Sequence, residues 1–147
     1  MSGGDFVYVI YIATDPQRLW AALLDPEFTR RYWGHENVSD WKPGSPWEHR
    51  RDDGGKTVEL AGRVLESDPP RRLVLTWAEP GDRDHVERHS RVSFEIEKVA
   101  DMVRLTVTHE ALDATMRRKV SAGWPRVLSS LKSLLETGQP LQTWAER

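Results

Sequence analysis

The stretch GWPRVLSSLKSLLETG, Gly123 to Gly138, puts Trp124, Val127, Leu128, Leu131, Leu134 and Leu135 at helical spacing on one stripe. The pattern predicts a helix capped by Ser121 or a neighbour. Pro125 then falls in the first turn, where its missing N–H is harmless, and Gly138 stands at the C′ position. So apolar a helix at the end of a chain is a lid. The rest of the sequence must supply the surface that it covers.

That surface is a set of alternating strands. RVSFEIE turns Val92, Phe94 and Ile96 inward against Arg91, Ser93, Glu95 and Glu97, and VRLTVTHE does the same with Val103, Leu105, Val107 and His109. RRLVLTW adds Leu73, Leu75 and Trp77, and TVELAGRVLE adds Val58, Leu60, Gly62 and Val64 in one phase. Trp47 and His49 share a phase after the Pro-Gly turn of DWKPGSPW. Clean alternation implies an antiparallel sheet with one covered and one wet face. The β-branched and aromatic run FVYVIYI, Phe6 to Ile12, reads instead as a strand buried on both faces. Between it and the other strands, Asp15-Pro16 and Asp25-Pro26 are two successive helix starts, each an N-cap followed by proline at the first helical position. The first helix carries Leu19, Trp20, Leu23 and Leu24, and the second Phe28, Tyr32 and Trp33. The polar segment from Pro80 to His89 reads as a loop or a ragged strand start.

The predicted fold is therefore α+β: a curved antiparallel sheet of about six strands around a long C-terminal helix, with two short helices after the first strand. One domain accounts for residues 1–147. Charged residues at 30% and a net charge of -2 exclude a basic field for nucleic acid, and no apolar run is long enough for a signal or a membrane span. A cytoplasmic location is the expectation. With no cysteine, thiolate metal sites, disulfides and cysteine nucleophiles are excluded. Seven tryptophans against three phenylalanines is the compositional anomaly, and indoles suit both cores and the walls of ligand cavities.

Seven segments in order carry a resemblance: IATDPQRLWAALLDPE, RRYWG, KPGSPWE, GRVLESDPPRRLVLTW, VSFEIEK followed by VRLTVTHE, and GWPRVLSSLKSLLETG. Together they resemble the START-like helix-grip superfamily (SRPBCC), and within it the family named after the activator of the heat-shock-protein-90 ATPase. Two places depart from that family: its paired glycine turn is Gly44-Ser45 here, and the hairpin EKVADMVR lacks the customary glycine. The resemblance implies a cavity between sheet and terminal helix that holds an apolar small molecule.

The inward phases and helix faces then nominate the ligand-binding residues as Trp33, Trp47, His49, Leu75, Trp77, Phe94, Val107, His109, Trp124, Leu128 and Leu131. The ligand expected is an apolar or aromatic molecule of the lipid, flavonoid or polyketide-like kind, with no cofactor. Gly62 is expected to leave room for the helix or a ligand. A cyclase- or hydratase-like enzyme is the weaker alternative. His49 and His109 are the inward ionisable groups, Arg51 and Glu66 stand at the rims, and no inward carboxylate is paired with either histidine. His85, Glu87 and His89 alternate as zinc ligands on a strand would, yet their phase is the wet one, so no metal site is assigned. A homodimer and a chaperone partner docked on Arg91, Glu95, Glu97 and Arg104 complete the candidate partners.

Overall fold

The computed structural model describes residues 5–141, so Trp144 lies outside the described residues. The elements run β1 (Phe6–Ile12), α1 (Pro16–Leu24), α2 (Pro26–Trp33), β2 (His35–Val38), β3 (Pro46–Arg51), β4 (Val58–Asp68), β5 (Arg72–Trp77), β6 (Ser90–Val99), β7 (Met102–Glu110) and α3 (Ala114–Thr137). One antiparallel sheet is ordered β1-β7-β6-β5-β4-β3-β2. It curls around α3 in the helix-grip arrangement.

The helices start where the sequence caps them. The Asp15 carboxylate accepts from the Arg18 N–H at 2.7 Å and that of Asp25 from the Glu27 N–H at 3.0 Å. Gly34, at φ 75°, ends α2 in the left-handed conformation, and the Tyr32 hydroxyl donates to the Ala22 carbonyl at 2.9 Å, tying the two helices together. Val103, Leu105 and Val107 of β7 are wholly buried with Leu131 of α3, and Leu73, Leu75, Val92, Phe94, Leu128 and Leu134 complete the core around them.

Five expectations are refined or corrected. The expected helix-grip fold holds, with seven strands in the sheet in place of about six, because β2 forms ahead of the segment read as the first strand after the helices. β1 is an edge strand and not buried on both faces: Val7, Val9 and Tyr11 are 57%, 47% and 42% exposed while Ile12 is buried. Its outward residues are apolar too, which hid the alternation. The third correction concerns α3, which begins at Ala114, with the Asp113 carboxylate accepting from the Met116 N–H at 2.7 Å. Pro125 therefore sits inside the helix, where it removes one intrahelical hydrogen bond; Ser121 caps nothing. Fourth, a β-carbon on Gly62 would stand 2.0 Å from the Thr76 carbonyl oxygen and 2.6 Å from Trp47 Nε1. The close approach there comes from the neighbouring strand and an indole, not from α3 or a ligand. Finally, the segment between β5 and β6 holds two 3-10 turns, Pro80–Asp82 and Val86–Arg88. His85, Glu87 and His89 thus share no strand face, and His89 is engaged by Thr76 Oγ1 at 3.0 Å and the Asp82 carbonyl at 2.9 Å. In the β6–β7 hairpin, Ala100 takes the left-handed conformation (φ 54°) that a glycine would otherwise supply.

Candidate functional site

A cleft of about 330 Å³ lies between the N-terminal half of α3 and the β2–β5 end of the sheet. Its aromatic wall comes from three elements. Trp33 is the last residue of α2, brought in by the Gly34 turn; Trp77 ends β5; Trp124 lies near the middle of α3. Ring centroids are 5.5 Å apart for Trp33–Trp124, 5.4 Å for Trp77–Trp124 and 6.4 Å for Trp33–Trp77. These are ordinary distances for interacting rings in tilted and stacked arrangements. Met116, Val120 and Val127 of α3 add aliphatic surface, and at the mouth the Lys119 ammonium faces the Glu79 carboxylate at 3.5 Å.

Behind the indoles runs a directed hydrogen-bond chain. Trp124 Nε1–H can only donate, so Nδ1 of His109, 3.2 Å away, is the unprotonated acceptor. The imidazole proton is on Nε2, donating to Ser90 Oγ at 2.8 Å, and the Ser90 hydroxyl donates to the Trp77 carbonyl at 3.1 Å. Burial, complete by surface, pushes the His109 pKa down to about 4, so the ring is neutral near pH 7. A second proton would also set an N–H against the indole N–H. His109 thus positions Trp77 and Trp124 and is a poor proton donor.

The opposite wall holds a second set of polar groups. β2 and β3 face each other in register, Asn37 opposite His49 and His35 opposite Arg51. Asn37 Oδ1 accepts from His49 Nδ1 at 2.6 Å. The His35 and His49 rings stack at 4.3 Å with 10° between planes, and Trp33 covers His49 at 4.5 Å. His35 Nδ1 donates to the Trp33 carbonyl at 3.1 Å, and Nε2 faces Glu59 Oε1 at 2.6 Å. Glu59 Oε1 also accepts from Arg51 Nε at 3.1 Å. Partial burial acts to raise the Glu59 carboxyl, but hydrogen bonds from Arg51 and His35, together with their charges, outweigh it and hold it below the usual carboxylate range.

Of the nominated residues, the structure brings Trp33, His49, Trp77 and Trp124 onto the cleft. Trp47, Leu75 and Phe94 border a separate void of only about 10 Å³, too small for a ligand. Val107, Leu128 and Leu131 are packed core, and His109 lies beneath the indoles. Sequence reasoning missed His35, because β2 was not recognised as a strand. It also missed Glu59, whose phase reads as outward. His49 pairs with Leu60 and Arg50 with Val58, so Glu59 is the extra residue of a β-bulge. A bulge breaks the alternation and turns Glu59 to the cleft; nothing in VELAG announces it. A carboxylate that the strand phases did not nominate, Glu59, faces the third buried histidine, His35, at 2.6 Å. The sheet's outer charges, where a chaperone was expected to dock, are engaged with one another: Arg91 with Glu110 at 2.7 Å, Arg72 with Glu95 at 3.1 Å, and Arg104 with Glu97.

Residues 13–136 match the model of the family described as Activator of Hsp90 ATPase homolog 1-like protein. No curated protein matches the sequence. Among solved structures, the crystal structure of CalU16 from Micromonospora echinospora is 22% identical with a TM-score of 0.75, over 94% of this chain and 77% of that one. The Aha1 dimer from Colwellia psychrerythraea is 22% identical with a TM-score of 0.74, over 92% and 98% of the two chains. DynU16, of the dynemicin biosynthetic locus, is 21% identical with a TM-score of 0.75; the match covers 92% of this chain and 48% of DynU16. At these identities the likeness is one of fold. Among the described residues no helix is long and apolar enough to cross a membrane, and no three metal-ligating side chains converge.

Proposed function

For a chain that belongs to the Activator of Hsp90 ATPase homolog 1-like family, we propose the role of a binding module for a small apolar or aromatic molecule, taken up between α3 and the sheet. One observation carries the reading: three indoles from three different elements converge on a cleft of about 330 Å³ that no described side chain fills. A closed core would interdigitate at that point, as the sheet and α3 do around Leu105 and Leu131. Burying ~300 Å² of apolar ligand surface is worth roughly 7 kcal/mol before the entropy of association, which sets micromolar affinity as the scale. The likeness of fold to CalU16 and DynU16 agrees with a domain built to enclose a ligand and names none.

The arrangement favours binding over catalysis. His109 is held neutral with both nitrogens engaged, and both nitrogens of His35 are turned toward the protein. The test is an indole N–H spectrum of labelled protein titrated with lipids, flavonoids and polyketide-like aromatics. Trp33, Trp77 and Trp124 should shift together and saturably while Trp20 stays still. A panel that moves none of the three indoles would overturn the reading.

A further inference from the structure

We propose that Glu59 is the polar anchor of the cleft, and that the ligand it selects is an aromatic molecule bearing a neutral hydroxyl donor, a phenol. The inference rests on the binding reading above and adds the chemical class. Three observations converge. The β-bulge in β4 turns Glu59 out of the strand alternation and onto the cleft wall, the use to which bulges beside sites are put. Its Oε1 already takes both protein hydrogen bonds, from His35 at 2.6 Å and Arg51 at 3.1 Å, while no described residue bonds Oε2. The carboxylate is also roped to the aromatic wall, because His35 donates from its other nitrogen to the Trp33 carbonyl. A ring lying against Trp33 therefore has an oriented acceptor beside it.

The charge around Glu59 decides between donors. The Arg51 guanidinium already neutralises the Glu59 carboxylate, with His35 against the same oxygen, so an ammonium ligand would join a region without negative excess and lose its hydration for little Coulombic return. A neutral O–H has far less hydration to lose and gains a bond to a charged acceptor. An anionic ligand is disfavoured as well, since the donors of His35 are turned toward the protein. Glu79, the other carboxylate on the cleft, is paired with Lys119 at the mouth.

The test compares three probes of one shape on the intact protein by calorimetry and indole chemical shifts: 2-naphthol, 2-methoxynaphthalene and 2-naphthylmethylammonium. The wild type should bind 2-naphthol about tenfold more tightly than the methoxy compound, the scale of one hydrogen bond to a charged group. The ammonium should bind no better than the methoxy compound. Glu59→Leu should erase the preference without abolishing binding. Glu59→Gln, which retains a carbonyl acceptor and keeps His35 partnered should the leucine variant fail to fold, should reduce it. Equal affinity for 2-naphthol and 2-methoxynaphthalene, a preference that survives in both variants, or tightest binding of the ammonium would each overturn the anchor while leaving the cleft a binding site. Failure of all three probes to move any cleft indole would strike at the binding reading itself, and the anchor would fall with it.

Discussion

Beneath α3 the interior has two ends of different chemistry. At one, Leu105, Val107, Leu128, Leu131 and Leu134 are buried to 1% exposure or less, with no polar side chain needed to orient them. At the other, Trp33, Trp77 and Trp124 stand around a cleft, and His35, His49 and His109 sit among them at 3% exposure or less. Aliphatic side chains fill space by interdigitating and need no direction. Indoles and imidazoles must satisfy their N–H groups, so they arrive with hydrogen bonds that fix their planes. The first end holds the fold; the second holds a shape. α3 spans both ends: Met116 to Val127 face the cleft, with Pro125 inside that stretch, and Leu128 to Leu135 pack into the core.

The largest effect that could break this contrast is a pair of truncations. Leu131→Ala should cost about 4 kcal/mol in chemical denaturation, the scale for a wholly buried leucine, and leave ligand affinity unchanged in the folded population. Trp124→Ala should cost less than the ~3–5 kcal/mol of a fully enclosed tryptophan, because one side of the ring borders the cleft, while ligand affinity drops. Were Trp124→Ala to lose full core stability with affinity unaltered, the two ends would be one core.

The next effect is pH-dependent. The unfolded chain takes a proton at His109 as pH falls through about 6.5, whereas the folded chain resists until about 4. Stability is therefore unaffected above the unfolded value and lost as pH falls between the two. From pH 7.5 to pH 5 the loss is about 2 kcal/mol, read as the difference in denaturation between wild type and His109→Gln. In parallel, the His109 ring proton resonances should not titrate above about pH 4.5. Titration near pH 6.5 would mean that the chain from Trp124 to the Trp77 carbonyl opens freely.

The smallest effect sharpens the contrast from outside. Lys119→Ala breaks the ion pair with Glu79 across the cleft mouth, both side chains being largely exposed, and should change stability by less than about 0.5 kcal/mol. A loss above about 1 kcal/mol would show that the roof contributes to the fold and does not merely cover the cleft.

How much of this was legible in the residues differs between the two ends as well. The strands that face α3 alternate cleanly, and the packed half of α3 carries its leucines at helical spacing, so the aliphatic end is readable from period alone. Trp33, Trp77 and Trp124 were nominated from the same phases, and they do converge. The start of α3 was misplaced by about two turns, because Pro125 was read as a boundary and Asp113, the real cap, lies well upstream. The edge position of β1 was invisible because Val7, Val9 and Tyr11 look like core residues when strand order is unknown.

By itself, the sequence determined the class of the fold, the caps of the two short helices, and which faces of most strands and of the terminal helix turn inward. Each of these depends on a residue and its neighbours within a turn or a few positions along a strand. Only the tertiary structure decided which inward residues meet a cleft and which meet one another, that His35 and Glu59 belong to it, and which tautomer His109 takes. These follow from strand register, from a bulge opposite His49 and Arg50, and from an indole donor on a different element. Register and bulges are set by how separate strands fit together across the sheet, and no local pattern of side chains records that fit.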